Sequence, residues 1–226
     1  MPSNNVIASL TALIGLVLVI FGLWPGLDLA TSDYFHDASG FPVAHDPVIE
    51  ALRNVFFHAS RAIPVLVLLL LGLTLWLKRE VIMAAREWAY VLALFLLGPG
   101  LVVNAILKAH WGRARPIQIV DFGGTAQFTP AWQITDQCAA NCSFVSGEGS
   151  GTTAMTIAAL LILSANRHRL PNVAYRGGQI AAFAMLGFVG WQRVAAGGHF
   201  LSDVLLSMLL TTLIAAILAR LILTRR

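Results

Sequence analysis

The chain has 226 residues, of which 58% are hydrophobic and 12% charged, about half the charged content of an ordinary soluble domain, which carries roughly 25%. With a mean hydropathy of +0.76, it belongs in a bilayer as one domain spanning 1–226 rather than in solution. The net charge of +4 does not imply a nucleic-acid partner, because the basic residues sit in short clusters between apolar runs, as topology signals do.

The first apolar run, residues 6–24, is too long for a typical signal-peptide core and has no convincing cleavage site, so it reads as a retained span. A long polar connection, 25–62, follows. Within it Asp46-Pro47 offers an N-cap with proline at the first helical position, and Val48, Ile49, Leu52, Val55 and Phe56 repeat at helical spacing. That pattern predicts a short helix lying on the membrane surface, there for packing or to shape a lipid entrance.

Further apolar runs fall at 63–77 and 88–107, and a second long connection, 108–147, carries Cys138 and Cys142. The last three runs are 152–165, 179–191 and 201–223. Two of them are short against the roughly 20 residues a spanning helix needs, but Gly- and Ser-containing flanks such as 149–151 extend them. The expectation is an all-α integral membrane bundle of six transmembrane helices.

Assigning the connections alternately to two sides separates the charges. One side collects Lys78, Arg79, Arg86, Arg167, Arg169, Arg176, Arg220, Arg225 and Arg226, nine of the fifteen basic residues, and by the positive-inside rule it is cytoplasmic, with both termini. The other side holds most of the acidic residues and the two long loops. Cys138 and Cys142 are close enough to form a disulfide if that side faces an oxidising compartment, and are otherwise two free thiols.

Ionisable groups cluster at the outer ends of the last four spans, where insertion does not require them: Lys108, the Ser146-Gly147-Glu148 run, Arg193, and the pair His199 and Asp203. His199 and Asp203 are four apart, so on a helix they share a face. The carboxylate then fixes the imidazole tautomer and leaves the other nitrogen free to attack; a helix-capping pair is the plainer reading. Lys108, Arg113, Arg115 and Arg193 put four cations at the same boundary, suited to phosphate oxygens or, more simply, to anionic headgroups. Ser146-Gly147 at a helix start adds a hydroxyl, a close backbone approach and a dipole end, although small residues also serve helix packing. Taken together, these parts describe phosphoryl transfer to a histidine among cations.

These residues resemble a known family. Lys108-Ala-His-Trp-Gly-Arg-Ala-Arg115-Pro116 matches a Lys, six residues, Arg-Pro pattern; Val145-Ser146-Gly147-Glu148 is similar to a Pro-Ser-Gly-His motif; and Gln192-Arg193, five residues, His199, three residues, Asp203 follows a third. The resemblance is to the type 2 phosphatidic acid phosphatases, membrane lipid phosphatases that share their site with vanadium haloperoxidases, and it centres on 100–223. It implies that Lys108, Arg115, Ser146, Gly147 and Arg193 hold a phosphate, that His199 attacks phosphorus, and that Asp203 orients His199. It also implies a metal-independent, cofactor-free reaction on a lipid phosphate, with the site facing the periplasm from a bacterial inner membrane and no obligate protein partner.

The chain departs from the family twice. Gln192 replaces a serine, and Glu148 replaces the histidine that protonates the leaving group. An ionised carboxylate there repels phosphate, so Glu148 is either protonated or paired with a cation such as Arg113. His110 is a substitute acid, or else the leaving group needs little protonation. The last option favours lipid A 1-phosphate over phosphatidylglycerol phosphate, undecaprenyl diphosphate or phosphatidic acid. An anion or lipid transporter and an inactive lipid-binding relative are the non-enzymatic alternatives; a transporter places its polar residues near mid-membrane in broken helices, whereas these lie at one boundary.

Overall fold

The computed structural model describes residues 4–224, so that Arg225 and Arg226 of the expected cytoplasmic cluster lie outside the described residues. The fold is all-helical, with isolated bridges and no β-strand among the described residues. Among the described residues, apart from short 3-10 turns, there are seven helices: α1 (Asn4–Leu23), α2 (Gly26–Asp33), α3 (Pro47–Leu77), α4 (Ala85–His110), α5 (Gly147–Ala165), α6 (Asn172–Ala195) and α7 (Leu201–Leu223).

Four of them, α1, α3, α4 and α7, are long and apolar enough to cross a membrane. Their outward faces carry exposed Leu16, Val19, Val65, Leu69, Leu75 and Leu101. A continuous apolar surface of that kind needs hydrocarbon around it. Helices also stand where the other two short runs were expected, at α5 and α6. These are less apolar because α5 spends its face on small and hydroxylic residues, from Gly149 to Thr153, all buried against neighbours. A Cβ at Gly149 would come within 2.5 Å of Ser207 Oγ, and one at Gly151 within 3.2 Å of Ser60, so glycine is what lets α5 approach α7 and α3 closely. Ser150 and Thr211 then share a hydroxyl hydrogen bond of 2.6 Å between α5 and α7.

The surface helix expected after Asp46 is not a separate element. Asp46 does cap it, accepting from the Val48 and Ile49 amides at 2.9 Å, but the helix runs on as α3 for 31 residues, through Pro64 to Leu77. A proline costs a helix one donor and a clash at the preceding turn, which commonly kinks it without ending it. Consequently Arg53 rides on the same rod as the second expected span. In α4 the stretch Leu96–Leu107 is π-helical around Pro99, whose carbonyl accepts from Asn104 Nδ2 at 2.7 Å. Lys108 follows directly.

Two apolar clusters hold the bundle. One joins α3, α4, α5 and α7 through Val67, Trp88, Leu94, Phe95, Ala154 and Leu218. The other joins α1, α4 and α7 to the second loop through Val17, Phe21, Val103, Phe144 and Leu206. Above them Phe41, Ala114, Ile119, Phe122 and Phe200 form a smaller cap that packs the two loops over the end of α7.

Candidate active site

The chain leaves α4 through Trp111 and Gly112, which has φ +68° and sits so close to the Thr135 carbonyl that a Cβ would lie 1.7 Å from its oxygen. Only glycine fits that turn, and it directs Arg113 inward and Arg115 toward the rim. Arg113 is fully buried and is not a phosphate ligand or a partner of Glu148, as the sequence allowed. It donates to Asp28 Oδ2 at 2.9 Å, Asp203 Oδ1 at 2.6 Å, Ser202 Oγ at 2.9 Å and the Thr129 carbonyl at 2.8 Å. A buried guanidinium requires this degree of pairing. Asp28, on α2, also accepts from the Ser202 amide and hydroxyl, which ties that short helix to the start of α7.

His199 lies outside the helix it was expected to share with Asp203. The cap of α7 is Phe200, and Asp203 reaches back to accept from the Phe200 amide at 3.1 Å. Its other contacts are Arg113 and the Ser143 hydroxyl, the latter donating to Oδ2 at 2.5 Å. The His199 ring instead places Nδ1 2.7 Å from the Ser143 carbonyl. A carbonyl only accepts, so Nδ1 carries the proton and Nε2 keeps its lone pair. Asp203 therefore touches His199 through Ser143 and not directly. The imidazole is 1% exposed, and burial, followed by Lys108, Arg115 and Arg193, holds its pKa well below the ordinary value. That shift favours the neutral ring.

Those cations come from three elements. Lys108 ends α4. Arg115, after the Gly112 turn, donates from Nε at 3.1 Å and Nη2 at 2.8 Å to the Asn141 carbonyl, inside the loop closed by the Cys138–Cys142 disulfide. Arg193 is buried at the end of α6, where its carbonyl accepts from the Gly198 and His199 amides at 3.1 and 3.0 Å. That contact fixes the His199 backbone to the same residue that supplies a guanidinium. Ser146 caps α5, accepting from the Gly149 amide at 3.1 Å, and Gly147 abuts Asn104, whose Oδ1 would lie 2.8 Å from a Cβ there.

Lys108, Arg115, Gly147 and Glu148 line a cavity of about 400 Å³ together with Arg53, Arg61 and Asn141 and with the apolar side chains of Phe57, Pro64, Phe95, Leu96 and Pro99. The charged lining suits an anion and the apolar lining an acyl chain. His110 does not border it; this residue is exposed, with Nδ1 2.8 Å from the Ile106 carbonyl of its own helix. Glu148 is paired, but with Arg53 and Arg193: Arg53 Nε and Nη2 reach its two oxygens at 2.7 and 2.5 Å, and Arg193 Nη1 lies at 2.9 Å. Sequence reasoning missed Arg53, Asp28 and Ser143. Asp28 and Arg53 stand far along the chain from their partners, and Ser143 acts through a backbone carbonyl, which no side-chain motif records.

The PAP2 superfamily matches residues 86–226, a stretch containing all three motifs and more than half the chain. The chain belongs to the PAP2 superfamily. It is 32% identical over 224 residues to the lipid A 4'-phosphatase of Rhizobium leguminosarum, covering 90% of this chain and 91% of that one. It is 33% identical over 201 residues to the lipid A 4'-phosphatase of Francisella tularensis subsp. novicida, covering 85% and 86%. Among solved structures, the PAP2-type phosphatidylglycerolphosphate phosphatase of Bacillus subtilis superposes with a TM-score of 0.59 at 20% identity, over 95% of this chain and 94% of that one, and shares the fold. This PAP2 protein is thus a membrane lipid phosphatase, a phosphoric monoester hydrolase.

Proposed function

We propose that this phosphatase hydrolyses a phosphate monoester of a lipid A-type saccharide lipid through a phosphohistidine, and that the ester cleaved is the 4'-phosphate. The observation that carries the chemistry is the neutral His199 ring, its Nδ1 proton engaged by Ser143, among Lys108, Arg115 and Arg193. Nε2 donates its lone pair to phosphorus as the ester P–O bond breaks, the leaving sugar oxygen takes a proton from solvent water, and a second water cleaves the P–N bond to release inorganic phosphate. The cations stabilise the charge on the equatorial oxygens. The relatives named for lipid A 4'-phosphatase activity support the substrate class.

The anomeric 1-phosphate is the second reading, favoured by one observation: Glu148 sits in an ion-paired cluster and is poorly placed to protonate a leaving group, and an anomeric oxygen needs that least. Purified protein given bisphosphorylated lipid A, with the monophosphate product fragmented by mass spectrometry, separates the two. Loss of the distal phosphate supports the 4' reading and loss of the reducing-end phosphate the other. Release that persists in His199→Ala removes the nucleophile.

The membrane arrangement proposed is six spans, α1 and α3 to α7, with both ends cytoplasmic and the site on the periplasmic side of a bacterial inner membrane. The basic clusters in the short connections support it, as does a disulfide in the loop beside the site.

A further inference from the structure

The residue at the family's histidine position is a carboxylate, and something must keep it from competing with the substrate. Glu148 Oε1 is bonded at once by Arg53 and Arg193, at 2.5 and 2.9 Å. The two guanidinium groups hold it unequally. Arg53 grips both carboxylate oxygens in a fork, and its remaining Nη1 is braced by Glu50 at 2.7 Å and Asn54 at 3.2 Å. Arg193 reaches Glu148 through Nη1 alone, its Nε being turned to Gln192 at 2.6 Å. Bidentate pairs are the stronger and more directional of the two kinds. When an anion arrives at Arg193, the single bond is the one that breaks, and the fork on Arg53 remains.

We infer that Arg53 is a positioning residue of this phosphatase: its fork retains the Glu148 carboxylate so that Arg193 is released to the substrate phosphate. This rests on the reading of Lys108, Arg115 and Arg193 as the phosphate ligands. The placement of Arg53 fits the role. It comes from α3, outside the three motifs, it lines the same cavity as Lys108 and Arg115, and its side chain is 17% exposed beside a Glu148 that is 14% exposed. Glu50, one helical turn earlier, and Gln192, whose Nε2 lies 3.4 Å from Glu50, complete a bridge from α3 to the end of α6. Without Arg53 the carboxylate is left to Arg193, Lys108 and Arg115, the cations read as the phosphate ligands, and the substrate must displace it from them.

The test is a double-mutant cycle on the full-length chain in detergent micelles, using wild type, Arg53→Ala, Glu148→Gln and the double variant. Two quantities are read: the affinity for inorganic phosphate by calorimetry, which needs no turnover, and KM and kcat on a lipid phosphate. Arg53→Ala is expected to weaken phosphate binding and raise KM by roughly tenfold, and to do neither in the Glu148→Gln background. Arg53→Lys, which keeps the charge and loses the fork, is expected to fall between wild type and Arg53→Ala. Equal weakening in both backgrounds would mean that Arg53 acts on phosphate itself or only on the fold, and no weakening in either would mean that it does not serve the site; each overturns the inference. A wild-type protein that binds phosphate and turns over leaves only the coupling in question. One that does neither removes the phosphatase reading and this inference with it.

Discussion

Ser143 stands between His199 and Asp203, taking the imidazole Nδ1 on its carbonyl at 2.7 Å and giving its hydroxyl to the carboxylate at 2.5 Å. The backbone carbonyl, which no substitution at Ser143 removes, is what sets the tautomer. Ser143→Ala is therefore expected to lower kcat/KM by about tenfold or less, whereas His199→Ala lowers it by at least about a thousandfold. Asp203→Asn should cost roughly 10–100-fold, in the range of lost supporting hydrogen bonds, and should lower the unfolding temperature as well, because Arg113 loses one of its two carboxylate partners. An activity loss in Asp203→Asn with unchanged stability would show that the carboxylate serves His199 alone.

Arg113 is held in the core by two carboxylates, Asp28 and Asp203, and no other cation reaches either in an ion pair among the described residues. Removing Asp28 leaves Arg113 paired with Asp203 but strips the acceptor from Arg113 Nη2 and from the Ser202 amide and hydroxyl, buried donors whose loss of a partner costs about 1–3 kcal/mol. Asp28→Ala is expected to destabilise the protein by that amount, read as a fall in the detergent-phase unfolding midpoint. Phosphate affinity in the folded fraction should change little, since Asp28 does not line the cavity.

What could be read from the chain alone depended on how far apart the partners lie. Lys108, Arg115, Arg193 and His199 could be proposed from the chain because each sits in a local run whose spacing carries its chemistry, and in the structure the three cations are near enough to lower the pKa of the imidazole. Arg53 is legible only as part of a helix, because its partner Glu148 lies 95 residues on. The spacing of His199 and Asp203 suggested a shared helix face, but the helix begins at Leu201, beyond the histidine, and Asp203 turns back to cap it. For the fold the same limit applied at α5 and α6. Their buried, small-residue faces lower the apolar signal that marks a span, while the contacts that replace it come from other helices.

The protonation state of His199 gives a pH prediction with a definite sign. Burial and the three neighbouring cations hold its folded-state pKa well below the ordinary value of about 6.5 that it recovers on unfolding. Between those two values the unfolded chain binds a proton that the folded chain does not. Stability contributed by this group therefore falls as pH drops below about 6.5 and is unaffected above it. For activity the same shift keeps the nucleophile neutral in mild acid, so kcat/KM should show no loss centred at the ordinary imidazole value. A pH profile with its acid midpoint near 6.5 would show an imidazole that titrates normally.

The disulfide loop should tune phosphate binding through Arg115. Cys138 and Cys142 close a short loop whose Asn141, at φ +53°, turns its carbonyl to receive both Nε and Nη2 of Arg115. A five-donor guanidinium held at two of its nitrogens has its remaining donors aimed, and its rotamer entropy is already lost before substrate arrives. Opening the loop frees that carbonyl and lets Arg115 swing. The Cys138→Ser, Cys142→Ser double variant is expected to weaken inorganic phosphate by about threefold to tenfold, with kcat changing less than KM, and a thiol reductant should produce the same shift in the wild type. The comparison with Arg115→Ala locates the effect, because once that side chain is gone, opening the disulfide should change phosphate affinity no further. A loss that persists in the Arg115→Ala background would assign the disulfide to holding the loop as a whole.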